Sequence, residues 1–71
     1  MTYADMMTVG PDSLREHYAG VRALAYNNAR IATYGVRTAN KCARSMGYLM
    51  RQISMCETAA RKRGFSLASA S

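Results

Sequence analysis

No aspartate or glutamate occurs between His17 and Cys56. The four acids of the chain stand outside that stretch, as Asp5, Asp12, Glu16 and Glu57. Tryptophan is absent, and there is one proline, one histidine and two cysteines. Each shortage excludes something. Cys42, Cys56 and His17 are too few soft ligands for a zinc site, which takes four, and two cysteines do not make a disulfide framework. The residues therefore imply neither a metal nor a cofactor. His17, beside Glu16, reads as a surface histidine of a first helical turn. No nucleophile–base–acid set and no phosphate loop is present, so an enzyme is not expected.

Long apolar runs are missing too. Arginines divide the middle of the chain into stretches far shorter than the roughly 20 residues of a transmembrane span. The opening "MTYADMMTVG" carries an aspartate and no basic region, so no secretory signal is expected.

What remains is strongly basic. The formal net charge is +6, from ten Lys and Arg against four Asp and Glu. Six of the cations lie in the acid-free stretch. Such a balance favours a polyanionic partner: nucleic acid or an acidic protein surface, with an anionic membrane surface a weaker third choice because the apolar face is mostly alanine and lacks tryptophan.

The pattern predicts an all-α chain. Residues 1–12 read as an irregular N-terminal arm ending in the turn signal "VGPD". Ser13 and Glu16 match a capping box. At the other end Arg61, Lys62 and Arg63 suit the last turn of a helix, Gly64 its left-handed stop, and Phe65 the apolar residue that folds back on Ala60. Residues 64–71 read as a flexible C-terminal tail. Between the two signals there is no proline. One long basic amphipathic helix over residues 13–63 is expected, about 75 Å long, packing in a coiled-coil or bundle assembly. A helical hairpin broken near Gly35 is the alternative. It ranks second because "TYGVRT" lacks the polar turn chemistry of most loops.

An apolar seam runs through this segment with the 3.5-residue period of a coiled coil. It comprises Val21, Ala25, Asn28, Ala32, Gly35, Ala39, Cys42, Met46, Leu49, Ile53, Cys56 and Ala60. Only Asn28 is polar, where a buried amide can fix register. Leu24, Ile31 and Met50 are among the residues that widen the apolar face on its flanks, beyond the need of a simple dimer. Residues 25–37 and 39–51 also repeat one another, with alanine at 25/39 and 29/43, arginine at 30/44 and 37/51, and tyrosine at 34/48. A fourteen-residue period is two heptads, one helical face presented twice.

Arg30, Arg37, Arg44 and Arg51 recur every seven residues on the line opposite the seam, about 10.5 Å apart. Exposed helix faces usually interleave acids with bases, and this one does not. The guanidinium fork suits bidentate pairing with phosphate or carboxylate. The expected polyanion-binding residues are Arg30, Arg37, Lys41, Arg44 and Arg51, with Arg61, Lys62 and Arg63 as outer contacts. Tyr26, Tyr34 and Tyr48 lie beside them. The expected function is that of a structural assembly protein, a helical subunit of a homo-oligomer, filament or shell such as a virion coat. Self-association or partner helices would cover its seam, and its basic face would bind nucleic acid or an acidic neighbouring surface. The alternative is a small accessory or linker subunit of a large ribosomal, respiratory or light-harvesting complex.

Overall fold

Ile31, Thr33, Tyr34, Gly35 and Val36 crowd into six positions. Each forms helix less readily than the alanines and arginines around it, through lost χ1 freedom or, at Gly35, backbone entropy. In the computed structural model, which describes residues 1–68, the helix breaks there. The order of elements is α1 (Tyr3–Thr8), α2 (Pro11–Ile31), a 3₁₀ turn (Ala32–Tyr34) and α3 (Val36–Arg63). Among the described residues there is no strand, and the fold is all-α.

The uninterrupted helix expected over residues 13–63 is thus corrected. Two causes act together. The weak run at 31–36 lowers the cost of interruption, by about 1 kcal/mol relative to alanine at Gly35 alone. Folding back then buries the seam within one chain, whereas a lone helix leaves it in water. The turn also satisfies itself without Asn, Asp or Pro. Thr33 Oγ1 donates to the Arg30 carbonyl at 2.7 Å, taking up one acceptor that the end of α2 leaves open. Gly35 is extended, and its carbonyl accepts from the Ala39 amide at 2.9 Å in the first turn of α3.

α2 and α3 pack antiparallel. His17 meets Gln52, and Val21 and Ala25 lie against Leu49, with Met46 and Ile53 at the edge. The larger core is at the end remote from the turn. Leu14, Met6, Cys56, Ala59 and Ala60 are buried together. Tyr3, Met55, Phe65 and Leu67 are among the half-buried residues around them.

α1 replaces most of the irregular arm expected at 1–12. Thr2 and Asp5 form its capping box: each residue's backbone amide donates to the other's side chain, both at 3.2 Å. The reason is compositional. A cap, an acid and the apolar Met6 suffice for a short helix once Met6 has a core to enter. These hydrogen bonds, the Thr2 amide first, hold the exposed Asp5 carboxyl below its usual range. α2 then starts at Pro11, not after Ser13. Proline is pre-set for the first helical position, and Gly10 caps without a side-chain bond. Ser13 and Glu16 lie inside the helix.

At the C-terminus Gly64 adopts φ 82°, which glycine takes at no steric cost. Its amide donates to Ala60 O at 2.8 Å, and the Phe65 amide to the same carbonyl at 3.1 Å. Residues 64–68 are docked, which corrects that part of the expected flexible tail. The Arg15 and Arg63 guanidiniums lie 5.3 and 5.1 Å from the Phe65 ring centre. Arg15 Nε also donates to Ser66 O at 2.8 Å. Residues 69–71, the end of that tail, lie outside the described residues.

Three outcomes follow from this packing. Leu14→Ala should cost about 2–5 kcal/mol in urea denaturation, whereas Leu24→Ala, at an exposed position, should stay within about 0.5 kcal/mol. Tyr3→Phe should stabilise by about 1 kcal/mol, because the Tyr3 hydroxyl is buried with no hydrogen-bond partner among the described residues. The capping contribution of Asp5 is present above its unfolded-state pKa and is lost as pH falls through the lower folded-state value. An acid titration of helicity should therefore lose that contribution in Asp5→Asn, while the wild-type chain keeps it into the acid range.

Candidate functional site

The turn at 32–35 redistributes the arginine line. Arg30 now belongs to α2, and Arg37, Arg44 and Arg51 to α3. The four therefore no longer share one helical line, a correction that follows directly from the break. All four side chains are exposed, as is Lys41. None of these five cationic groups has a hydrogen bond or ion pair among the described residues. The ion pair found there joins Arg15 Nη1 to Asp12 at 3.0 Å.

The outer cluster is placed elsewhere. Arg61, Lys62 and Arg63 lie at the opposite end of α3, beside α1. Arg63 Nη1 donates to Met6 O at 2.8 Å, and the Lys62 ammonium lies 5.9 Å from the Tyr3 ring centre. Arg63 and Lys62 thus hold α1 and the chain end in place, and the fold does not bring them to the stripe.

Charge is segregated as a result. The four acids and Arg15, Arg61, Lys62 and Arg63 cluster around the Leu14 core and cancel formally. The whole net charge of +6 belongs to the half that ends in the turn, on Arg22, Arg30, Arg37, Lys41, Arg44 and Arg51. The same half carries the exposed large apolar side chains: Leu24, Tyr26, Ile31, Tyr34, Tyr48 and Met50.

The seam residues face inward to different degrees. Val21, Ala25, Cys42, Leu49, Cys56 and Ala60 are buried. Asn28, Ala32, Ala39, Met46 and Ile53 are half-buried, and Gly35, in the turn, is exposed. Within the chain the seam of α2 covers that of α3. Burial is deepest near Leu14 and thins toward the turn.

A groove runs between α2 and α3. One section, about 520 Å³, is bordered by His17, Gly20, Leu24, Tyr48, Leu49 and Gln52. The next, about 510 Å³, shares Leu24, Tyr48 and Leu49 and continues to Asn28, Ser45 and Arg44. At its inner end His17 Nε2 is 3.1 Å from Gln52 Oε1. A carbonyl oxygen only accepts, so the tautomer with its hydrogen on Nε2 is the one suited to this bond. His17 is thereby a packed, hydrogen-bonded residue, not a free surface one. Sequence reasoning passed over Gln52 and did not see Leu24 and Tyr48 as groove walls. The signal was available in the spacing of Tyr48, Gln52, Met55 and Ala59, which step by four, three and four along one face of α3.

Cys42 and Cys56 are free and buried. Burial pushes the Cys56 thiol above its ordinary pKa, with a smaller push from Glu57. Among the described residues no three His, Cys, Asp or Glu side chains come together as a metal-ligand set, and no helix is long and apolar enough to cross a membrane. Comparison with known families, curated proteins and solved structures gives no match.

The burial of Cys56 has a measurable consequence. The thiolate is the reactive form, so at mildly alkaline pH Cys56 should be alkylated by iodoacetamide much more slowly in the folded chain than in urea. Mass spectrometry of timed samples reads this, and equal rates in the two conditions would contradict the burial.

Proposed function

We propose that this chain is a non-enzymatic structural subunit of a nucleoprotein assembly, holding nucleic acid through phosphate contacts made by its acid-free half. One observation carries the reading: Arg30, Arg37, Lys41, Arg44 and Arg51 are all exposed and none is answered by an acid of the chain. Unpaired guanidiniums on a rigid helical scaffold are suited to phosphate oxygens, which position a protein on nucleic acid without reading its sequence. Tyr26, Tyr34 and Tyr48 stand exposed among them and offer stacking surfaces for unpaired bases.

The assembly is one of many copies, a filament or shell, as the seam pattern and the exposed apolar residues of the basic half support. Because the seam is largely consumed within the chain, copies would join through outer surfaces such as Tyr26, Tyr34 and Met50 once bound phosphates neutralise the cations beside them. A second reading, an accessory or linker subunit of a large protein complex, draws on Leu24 and Tyr48, exposed and side by side on the groove, since contiguous apolar surface marks protein contacts.

Titration of labelled single-stranded and duplex oligonucleotides over a salt series tests the first reading. Each stripe arginine that neutralises one duplex phosphate contributes about −0.9 to the slope of log affinity against log salt. Arg37→Gln, Arg44→Gln and Arg51→Gln should each flatten that slope by about this amount and weaken all sequences alike. A triple variant that binds with the wild-type slope would remove the phosphate role.

A further inference from the structure

α1 packs chiefly on α3, at one end of the groove between α2 and α3, and its Met6 reaches Leu14 of α2. Met6 is buried against Leu14, Cys56 and Ala59, and Met55 packs beside them. On α3 this seat is Met55 and Ala59. Steps of three and four along the same face lead from them to Gln52 and Tyr48, which border the groove sections described above. On α2, Leu14 leads in the same way to His17, Val21 and Leu24. One trough thus serves two tenancies. α1 fills the end near Leu14, and the end near the turn is open, with Leu24 57% and Tyr48 56% exposed.

We propose that this open end receives an α-helix from a partner protein, amphipathic and acid-flanked, laid against Leu24, Tyr48 and Leu49 as α1 is laid against Leu14 and Ala59. Three considerations select that occupant. At its other end the trough already takes Met6 of α1 between Leu14 and Ala59, so its walls admit the apolar side chains of a third helix. From Gln52 to Lys41 the α3 wall extends about 16 Å, room for three helical turns, the span over which residues at i, i+3 or i+4, and i+7 anchor in such grooves. The charge fixes the chemistry of the helix. Arg44 lines the groove, and Arg37 and Lys41 lie beside Arg44 on the adjoining surface. No acid occurs in this half to pair with them. A second copy of this chain is the wrong occupant, because docking through these halves would bring six cations against six with no acid between them. Carboxylates flanking the partner's apolar stripe meet the guanidiniums as fork-to-fork pairs.

The inference goes beyond nucleic-acid binding: it shares Arg37, Lys41, Arg44 and Tyr48 with the phosphate reading, but it stands on the apolar groove wall that Leu24 and Leu49 add to them. Arg30 lies nine residues from Val21, half a turn round α2 from the seam, so it belongs to the phosphate reading and not to the groove.

The test uses the full chain and a fluorescent, stapled three-turn helical peptide with leucines on one stripe and glutamates on its flanks. A control peptide carries lysines in place of the glutamates. Fluorescence anisotropy should show saturable binding of the acidic peptide and about tenfold or weaker binding of the lysine peptide. Leu24→Asn and Tyr48→Ser, both at exposed positions and checked for unchanged thermal unfolding, should each weaken the acidic peptide about tenfold. Arg44→Glu should reverse the preference between the peptides. Arg30→Gln should leave peptide binding unchanged while flattening the salt dependence of oligonucleotide binding, which separates failure of this inference from failure of the phosphate reading. Equal affinity for the two peptides, or indifference of the acidic one to both groove variants, overturns the proposal. So does a Leu24-dependent dimer in sedimentation equilibrium, which would assign the groove to a second copy. An oligonucleotide that displaces the peptide and is itself weakened by Leu24→Asn would assign it to nucleic acid, with the same effect.

Discussion

Burial of Leu14 against Met6, Cys56, Ala59 and Ala60 is the contact on which the other parts of this fold depend. A chain of 71 residues cannot build a large core, and this one concentrates what it has at a single end. Leu14 lies near the start of α2 and Cys56 near the end of α3, so their meeting requires the turn at 32–35. The same cluster gives α1 a reason to be helical, since six residues are far too few to hold a helix alone. It also gives the chain end a surface to dock on, through Phe65 and the Arg15 and Arg63 groups that lie over its ring.

The arrangement divides labour along the molecule. One end is closed by three helices and the docked chain end, with acids and bases in balance. The other is two helices and a turn, carrying uncompensated cations and exposed tyrosine, leucine and methionine. Core formation and partner binding compete for apolar residues in any small protein, and here the conflict is resolved by distance. Leu24 and Tyr48 can be spent on a partner because Leu14 and Cys56 hold the fold.

Part of this was legible without coordinates. The all-α class followed from the period of the apolar residues. The stop at Gly64 followed from Arg61, Lys62 and Arg63 before it and Phe65 after it. The break near Gly35 was weighed only as the second choice, because loops were judged by polar turn residues. The hydroxyl of Thr33 did that work unaided, and a run of weak helix formers was overlooked. The seam illustrates a deeper limit. A heptad pattern says that a helical line must be covered and is silent on whether another molecule or the same chain covers it. For the arginines, exposure and lack of partners could be anticipated from the missing acids. Their division between two helices could not, because it depends on the turn. The groove was hidden for a similar reason: its walls come from residues as far apart in the chain as His17 and Gln52, and only the antiparallel pairing of these two puts them side by side.

The segregation of charge has a kinetic meaning. A body 41 Å long that is neutral at one end and carries +6 at the other has a lopsided field. In the field of any anionic surface it experiences a torque as well as an attraction, and it turns its basic end forward before touching. Oriented encounters of this kind raise association rates by one to three orders of magnitude at low ionic strength. The neutral end, with α1 and the docked chain end, trails away from the target. Under the proposed nucleoprotein role, a subunit arriving already aligned would lose little time to misdirected collisions, which would favour rapid and uniform loading of many copies on one polyanion.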